Sequence, residues 1–418
     1  MKRLDIENFL SIKKATINLK RINLFIGPQA KGKSVITKLI SFFKEIPQVC
    51  FDAAIEGRSK REFDSDLRSK FEAMFPRYAW EKTNFSIEYD NGYFIVLLSC
   101  LNGKFNIDYS QNLSQALSSA RKMYKKSIDD PELASRSRVK VNRDVRDSLL
   151  STIYKNETES KIENIIYIPA GRSFFAHLQK NVFSFLSSSV PIDHFIKEFG
   201  AIYERTRELL RQDVFNERQR PKNVSKLVDD LLCGKHVIDK GQDWIVGDCG
   251  KVNVSNSSSG QQEALPLALI LSTWPYVTIR QLYRSFVIEE PEAHLFPIAQ
   301  GQVVSLIATA YRSGDLDSEF IITTHSPYIL TAFNNLIQAG NVMRAADYDD
   351  SKLSALYSIV PKEQAINFDQ VTAYIVDNGT VRPILDESLR LIDANAIDSV
   401  SNNLSQKFEK LLDLEFSL

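Results

Sequence analysis

Residues 22–34 have the sequence INLFIGPQAKGKS, an apolar run that leads directly into a glycine-rich loop. The loop matches the pattern G-x-x-x-x-G-K-[ST] through Gly27, Pro28, Gln29, Ala30, Lys31, Gly32, Lys33 and Ser34. Glycines let consecutive backbone N–H groups turn towards phosphate oxygens. In loops of this pattern the lysine reaches the β- and γ-phosphates, and the hydroxyl binds Mg²⁺. The stretch therefore predicts a nucleotide phosphate site in which Lys33 and Ser34 carry these two roles.

The segments on either side of the loop have the periodicity that such a site requires. Before it, apolar residues recur at every second position in three short stretches, which predicts three strands. After it, apolar residues recur at helical spacing from Val35 to Ile46, and Pro47 stops the pattern. This order places the loop at a helix N-terminus, where the positive end of the helix dipole favours phosphate.

The composition describes an ordinary globular chain. Hydrophobic residues make up 44% and charged residues 25% of the 418 residues, and 52 basic residues balance 52 acidic ones. With no net charge, no global field attracts the chain to nucleic acid or acidic membranes, so only local patches remain for such a role. The four cysteines include no C-x-x-C pair, which predicts reduced thiols.

Two stretches bear on the membrane and on export. The start, MKRLDIENFL, lacks the apolar stretch of an export signal, so we expect a cytoplasmic protein. The longest charge-free run, 264–279, is interrupted by two prolines and is short for a bilayer span. We therefore predict a buried helix there and no membrane association.

The remaining patterns predict one domain with insertions. Asn-Gly turns between alternating stretches predict strands near 85–109, charged helical patterns follow, and NIIYIP at 164–169 predicts a returning strand. The predicted parts are the N-terminal part of the domain with the phosphate loop at 1–50, an inserted β/helical arm at 51–160, a return strand at 161–175, a helical lobe at 176–245, and the C-terminal part of the domain at 246–418. One hairpin is predicted at 236–254 and another around Asp377-Asn378-Gly379. A closing helix is predicted from the apolar positions between 397 and 411.

Residues 286–297, FVIEEPEAHLFP, place three glutamates directly after an apolar run. A phosphate-loop protein needs a strand that ends in a carboxylate for Mg²⁺ and water. Glu289 has the position of the metal-orienting carboxylate, and Glu290 that of a base for the attacking water. An acidic helix start without chemical interest explains the run equally well when the run is taken alone. Glu292 and His294 receive no chemical role.

Two further stretches favour the nucleotide interpretation. In NSSSGQQEALPL, 256–267, a polar loop and a glycine precede an apolar helix, which forms a second anion-ready helix N-terminus. In IITTHSPYIL, 321–330, an apolar strand delivers His325 at its end, where a histidine can reach a γ-phosphate. A capped buried helix and a structural histidine are the respective alternatives.

In their order along the chain, these motifs resemble the OLD/SMC-like branch of the ABC ATPases. The resemblance rests on LFIGPQAKGKS, IIYIPAGRS, SSGQQE, FVIEEPEAHLFP, TTHSP and LIDANAIDSVSNNLSQKFEKLL. It covers roughly 1–50, 160–175 and 245–418. Within the branch, the chain is similar to stand-alone ATPases of prokaryotic antiphage defence, such as the PtuA ATPases of Septu and retron-associated systems.

The resemblance implies an α/β fold, an ABC-type P-loop ATPase head with a mixed sheet core, flanking helices and an inserted helical lobe or arm. It also implies a homodimer, or a larger assembly of such dimers, that holds two ATP molecules head-to-tail. Lys33 and Ser34 would then hold phosphate and Mg²⁺, with Glu289 at the metal, Glu290 at the water and His325 at the γ-phosphate. Ser259, Gly260 and Gln262 match the signature S-G-x-Q, which meets nucleotide bound by the opposite subunit.

Three positions carry open questions about the site. Glu289 stands where the wider superfamily has aspartate, and Gln261 stands where the signature has a second glycine, which predicts slow hydrolysis. Arg172 in PAGRS is predicted to contact phosphate or a partner, with an ordinary surface arginine as the alternative.

Two functions follow as hypotheses. The first is an ATP-driven sensor or scaffold that regulates a separate effector, a nuclease, because the chain lacks the motifs of a nuclease of its own. The second is a DNA repair or recombination ATPase that clamps nucleic acid through the basic clusters at 121–146 and 205–222. A transporter ATPase is disfavoured by the sequences around Glu290 and His325.

Overall fold

A computed structural model describes residues 2–129, 137–155, 162–176, 193–211, 221–248, 250–277, 282–312, 318–346 and 349–393, together with Glu409 and Leu411. The strands are β1 (Lys2–Phe9), β2 (Ile12–Leu19), β3 (Ile22–Ile26), β4 (Phe85–Asp90), β5 (Ile95–Leu101), β6 (Lys104–Tyr109), β7 (Ile162–Ile168), β8 (Lys235–Asp239), β9 (Gln242–Gly247), β10 (Gly250–Asn253), β11 (Leu282–Glu289), β12 (Glu319–Thr324), β13 (Val371–Asp377), β14 (Thr380–Pro383), β15 (Leu385–Asp386) and β16 (Leu391–Ile392). The α-helices are α1 (Lys33–Lys44), α2 (Ile46–Ile55), α3 (Lys60–Met74), α4 (Gln111–Asp129), α5 (Arg138–Ile153), α6 (His194–Arg211), α7 (Asn223–Leu232), α8 (Ser259–Thr273), α9 (Pro297–Arg312), α10 (Pro327–Ala345) and α11 (Asp350–Ile359).

A mixed sheet forms the centre of the fold. In the described residues it has 11 strands in the order β6-β5-β4-β1-β2-β14-β13-β3-β12-β11-β7. The strands β13, β3, β12, β11 and β7 run parallel, whereas β1, β2, β4, β5 and β6 pair antiparallel. Because parallel strands end at one edge, the segments that follow β3, β7, β11 and β12 lie close together there.

Helices cover both faces of this sheet. Side chains of a strand point alternately to opposite faces, and the strands divide accordingly between two apolar clusters. In β11, Val287 belongs to the first cluster, whereas Phe286 and Ile288 belong to the second. Helices α1 to α5 supply the first cluster, and α6 to α10 supply most of the second. The α/β class with a mixed sheet core and flanking helices is therefore confirmed.

The structure confirms several of the predicted strands and helices and corrects others locally. The three N-terminal strands and the hairpin around Asn378-Gly379 are present. Pro47 does not end the first helix, because α1 ends at Lys44 and Pro47 occupies the first turn of α2, where its missing N–H is tolerated. Where the sequence predicts one hairpin, β8, β9 and β10 form three antiparallel strands.

The predicted division of the chain into segments stays a prediction. The structure does show which strands and helices some of these segments contribute. The segment 51–160, predicted as an inserted arm, contributes β4, β5 and β6 to the central sheet through the pairing of β4 with β1. The predicted closing helix lies outside the described residues except for Glu409 and Leu411. None of the helices that the structure describes combines the length and apolarity needed to cross a membrane.

A group of four charges, of which Lys44 and Glu319 are buried and Lys2 and Glu163 partly buried, lies at the sheet edge opposite the loops. Lys44, at the end of α1, contacts Glu163 at 2.7 Å and Glu319 at 2.9 Å, and Lys2 contacts the same two carboxylates at 2.6 and 3.0 Å. Lys2, Glu163 and Glu319 lie at the starts of β1, β7 and β12. The cluster ties the last turn of α1 to three strands.

Candidate functional site

The phosphate loop connects β3 to α1 at the edge where the parallel strands end. Its close packing requires glycine at two positions: a Cβ on Gly27 would lie 2.1 Å from the carbonyl oxygen of Val376, and one on Gly32 would lie 2.5 Å from the side chain of Ile12. Gly32 also has φ 101°, a conformation that side chains disfavour. Pro28, Gln29 and Ala30 form the exposed tip.

The start of α1 is available to an anion. Gly32 precedes the helix and no side chain caps it, so the N–H groups of the first turn lack intrahelical acceptors. Lys33 is 5% exposed, and its Nζ donates to the carbonyls of Gly27 at 2.6 Å and Pro28 at 2.9 Å. Burial lowers the pKa of the Lys33 ammonium, and the nearby carboxylates of Glu290, Glu292 and Glu289 oppose that shift. Ser34 is exposed beside it.

Glu289 ends β11 and is held by the neighbouring strand. The hydroxyl of Tyr167, in β7, donates to Glu289 Oε1 at 2.8 Å, and the hydroxyl of Thr37, in α1, lies 3.2 Å from that of Tyr167. Burial, together with the charge of Glu289, raises the pKa of Tyr167 well above its ordinary value, so the phenol remains a donor. Glu289 is thereby fixed relative to the helix that starts at the phosphate loop.

The side chains of Glu290, Glu292 and His325 lie close together just after the ends of β11 and β12. Glu290 adopts a left-handed backbone with φ 44°, and its N–H donates to Thr323 O at 2.9 Å. Such a conformation costs a non-glycine residue about 1 kcal/mol or more, which points to a functional constraint. His325 Nδ1 lies 3.7 Å from Glu290 Oε1 and 3.4 Å from Glu292 Oε1. Glu292 Oε1 also accepts from the N–H of His325 at 2.7 Å.

The signature stretch starts α8, with Ser259 exposed at its first position. A Cβ on Gly260 would lie 2.9 Å from the carbonyl oxygen of His294, so this helix start packs against the loop after β11. Among the described contacts, Ser259 and Gly260 make no hydrogen bond with the phosphate loop of their own chain. Gln262 is buried and donates to Ser257 O at 3.1 Å.

Gln261, where the signature motif has a second glycine, has a local structural role. It is the third residue of α8 and forms a reciprocal capping box with Ser258, the residue before the helix. Its Nε2 also donates to Leu232 O at 2.8 Å. The glutamine therefore fixes the start of the helix that the motif requires.

Arg172 corrects a sequence prediction. It is neither at the phosphate loop nor on the surface, because it is fully buried beneath the loop that follows β7. Its guanidinium donates to Pro169 O at 3.1 Å, Glu289 O at 2.7 Å, Glu290 O at 3.0 Å and Glu263 O at 3.1 Å. Burial lowers the pKa of Arg172, and the carboxylate of Glu263, whose Oε2 lies 3.4 Å from its Nε, opposes this.

These residues fit Mg²⁺-ATP. The uncapped start of α1 and the Lys33 ammonium suit phosphate oxygens, and the hydroxyl of Ser34 with the carboxylate of Glu289 offers the oxygen ligands that Mg²⁺ prefers. Mg²⁺ in nucleotide sites takes one or two protein oxygens and completes its shell with phosphates and water. Within the described ranges, no three or more His, Cys, Asp or Glu side chains come together as a metal site, and Mg²⁺-ATP requires none.

Sequence reasoning missed Glu263, Tyr167 and the role of Glu292. Glu263 had a visible signal, because it is the only charged residue of α8, and a buried carboxylate needs partners. Tyr167 had none, since a tyrosine within a buried strand is ordinarily core. Glu292 was indistinguishable from an acid of a helix start.

Solved structures give a distant likeness. The chain is similar to an SMC head bound to the C-terminal winged-helix domain of ScpA, at 12% identity, TM-score 0.43, with 93% of this chain and 99% of that chain covered. It is also similar to the SMC head domain from Thermotoga maritima, at 11% identity, TM-score 0.35, with 92% and 98% covered. The recombination mediator protein RecF in the RecFOR pathway follows at 12% identity, TM-score 0.32, with 91% and 97% covered. At these scores the likeness fixes neither partner nor substrate.

Sequence comparison is more decisive. No curated protein matches the chain. The family model AAA_15, described as the AAA ATPase domain, matches residues 1–330, a span that contains the phosphate loop, the signature stretch, the β11 carboxylates and His325. The chain therefore belongs to the AAA_15 family of ATPase domains.

Proposed function

We propose that this chain binds Mg²⁺-ATP and hydrolyses it to ADP and phosphate. The observation that carries the proposal is the convergence of Lys33, at the uncapped start of α1, with the carboxylates that follow β11 and with His325, which follows β12. Bound Mg²⁺-ATP supplies the bond to be hydrolysed, and the metal offsets charge on the phosphate oxygens. Lys33 and the loop N–H groups hold phosphate, and Ser34 and Glu289 hold the metal. Glu290 accepts a proton from water, and His325 contacts the terminal phosphate.

Two single substitutions test these roles. Glu290→Gln removes the base but preserves shape, so ATP binding persists while turnover falls by about 100-fold. Lys33→Ala removes a charge-assisted donor and weakens ATP binding by about 10-fold or more. Binding is measured by equilibrium titration with a fluorescent ATP analogue, and turnover by phosphate release. Parental turnover in both variants would reject the site.

We propose further that two chains bind ATP between them, with Ser259, Gly260 and Gln262 of one chain against nucleotide held by the other. The support is the exposure of Ser259 at the start of α8, where no described hydrogen bond joins it to its own phosphate loop. Glu290→Gln should then accumulate as an ATP-bound dimer or larger assembly, which light scattering after gel filtration detects.

The cellular role that we propose is a sensor or scaffold that regulates a separate effector protein, in the manner of the antiphage-defence ATPases that the sequence resembles. An exposed apolar groove on the surface supports the proposal that the chain binds a protein partner. It has a volume of about 700 Å³ between α9, α10 and α11, and Ile298 and Ile359 at its margin are 72% and 80% exposed. Exposed apolar patches of this kind mark interaction sites.

Co-expression with the product of the neighbouring gene tests the groove as the effector surface. Ile298→Asp and Ile359→Asp place charges in an apolar contact, and we expect each to reduce co-purified effector by about 10-fold or more. Leu101→Asp is the matched control, because Leu101 is 58% exposed at the end of β5. No co-purified partner with the parental chain, or equal losses in all three variants, would count against the proposal.

A second candidate function is a nucleic-acid clamp for DNA repair or recombination. Specific support comes from α4 and α5, which carry eight lysines and arginines against three aspartates in a chain of no net charge. Among the residues with described placement, no ion pair joins these eight cations to a carboxylate. In the other basic cluster, 205–222, residues 212–220 lie outside the described residues, and Arg207 is buried and paired with Glu204 and Asp243.

A further inference from the structure

A continuous set of hydrogen bonds crosses the site through residues 167–173, which we name the connector. At one end, the connector reaches α1 and Glu289 through the hydroxyl of Tyr167. At the other, Glu263 of α8 accepts the backbone N–H of Arg172 at 2.9 Å and that of Ser173 at 3.0 Å. The connector therefore touches the phosphate-loop helix, the end of β11 and the signature helix.

Arg172 makes this link rigid. Its guanidinium is planar and directs its N–H groups at fixed angles, and it donates at the same time to the carbonyls of Glu263, Glu289 and Glu290. The side chain is fully buried, so water does not replace a stretched bond, and a lost bond leaves a buried polar group unsatisfied. A displacement of α8 is consequently felt by the backbone that orients Glu289 and Glu290.

The carbonyl of Glu290 gives this coupling a specific target. Glu290 has a left-handed backbone, φ 44°, fixed from one side by Thr323 O and from the other by Arg172 Nη2. Small changes in the position of Arg172 alter the direction of the Glu290 side chain, which the proposed hydrolysis uses as its base.

We infer that Arg172 and Glu263 are positioning residues that couple the two ATP sites of a pair of chains: contact of nucleotide with the start of α8 is transmitted through the connector to Glu289 and Glu290 of the same chain. The inference rests on the proposed function, because only a head-to-tail pair places the partner subunit's nucleotide against α8. In this inference Arg172 does not contact phosphate; it couples α8 to the end of β11 through hydrogen bonds in the protein interior.

The test compares three variants of the full chain. Arg172→Lys keeps the charge but cannot donate to the three carbonyls in the same directions. Glu263→Gln keeps an acceptor oxygen and the shape but removes the charge. Arg284→Lys is the matched control, since Arg284 is as fully buried as Arg172 but lies within β11, where its guanidinium is against the ring of Trp274.

The readouts are ATP affinity, turnover as a function of ATP concentration, and thermal melting. We expect the parental chain and Arg284→Lys to hydrolyse ATP cooperatively. In Arg172→Lys and Glu263→Gln, turnover should fall by about 10-fold or more, and the Hill coefficient should fall to one, while affinity stays within about 2-fold of the parental value. This combination of results separates a loss of coupling from a loss of ATP binding. A merely structural role would reduce ATP affinity and turnover together.

Three outcomes overturn the inference: cooperativity that survives in both variants, non-cooperative hydrolysis by the parental chain, and losses of turnover that Arg284→Lys shares. If Arg172→Lys fails to fold, Glu263→Gln decides the question by the same readouts. Failure of the proposed function looks different, since the parental chain would then hydrolyse no ATP, or Lys33→Ala would hydrolyse it at the parental rate.

Discussion

Glu292 is a residue whose contacts exceed what its place in the sequence suggests. Its Oε1 accepts from the hydroxyl of Thr324 at 2.8 Å and from the N–H of His325 at 2.7 Å, and it is 5% exposed. A carboxylate that accepts two such bonds fixes the turn between β12 and α10. Because His325 lies on that turn, Glu292 determines where the imidazole stands relative to Glu290.

We predict that Glu292→Ala lowers ATP turnover by about 100-fold through displacement of His325, with a smaller effect on ATP affinity. Glu292→Gln is the matched variant, because its amide oxygen can take the place of Oε1 and retain both bonds. Phosphate release and nucleotide titration of the two variants measure the difference. If Glu292→Ala hydrolysed ATP as fast as the parental chain, either His325 would keep its position without Glu292, or turnover would not depend on that position.

At the scale of elements, helix α1 is fixed at both ends by different means. Its start carries the phosphate loop, and its last turn is held by the charges of Lys44, Lys2, Glu163 and Glu319. Burial alone would raise the pKa of Glu163, but the ammonium groups of Lys44 and Lys2 override it and hold the pKa at about 2, below the ordinary value of 4.5. The cluster is thus a source of acid-sensitive stability.

The sign of that dependence follows from the lowered pKa. The contribution of Glu163 is fully present above pH 4.5 and is lost as the pH falls towards 2, because the unfolded chain then binds the proton first. We predict that Glu163→Gln, which leaves buried lysine charge less compensated, costs about 3–5 kcal/mol near neutral pH. It should also flatten the dependence of stability on pH in this acid window. Denaturant unfolding at several pH values measures both, and an unchanged slope in the variant would contradict the assignment.

The elements differ in how far the sequence predicts them. β1 to β3, the phosphate loop, α1 and the Asn378-Gly379 hairpin depend on periodicity and turn chemistry within a few residues, so the sequence predicts them. The assignment of Arg172 depended on contacts with Glu263, 91 positions away. No local pattern reveals whether an arginine after a buried strand turns to solvent or beneath the loop. The same holds for Tyr167, whose partner Glu289 lies 122 positions along the chain.

At the scale of the whole molecule, charge is distributed unevenly although the total is balanced. A surface on α4, formed by Arg121, Lys122 and Lys125 beside the end of α2, lines a cavity of about 420 Å³. Cations at this density, which form no ion pair within the described part of the chain, favour a polyanion, and nucleic acid is the partner that the second candidate function requires. The surface therefore distinguishes the two functions better than the ATP site, which both require.

We predict that, if the clamp function holds, Lys122→Glu and Lys125→Glu together weaken binding of double-stranded DNA and reduce its dependence on salt, since fewer counterions are released. Both side chains are exposed, so ATP turnover and folding should stay at parental values. Fluorescence anisotropy over a range of salt concentrations measures the effect. Unaltered affinity and salt slope would leave α4 as a solvated helix face and favour the effector hypothesis.

Because Gly27 packs against Val376, the phosphate loop cannot take its final shape during translation until β13 has been made. The loop obtains its shape from the β13–β14 hairpin, and β3, which precedes it, pairs with β13 as well as β12. About 350 residues separate the two partners in the chain, so on a ribosome the loop emerges long before the strand that supports it. Contacts between such distant segments form late. A nascent chain should therefore acquire its affinity for nucleotide only after β13 has left the exit tunnel, and ATP will not accumulate on incomplete copies.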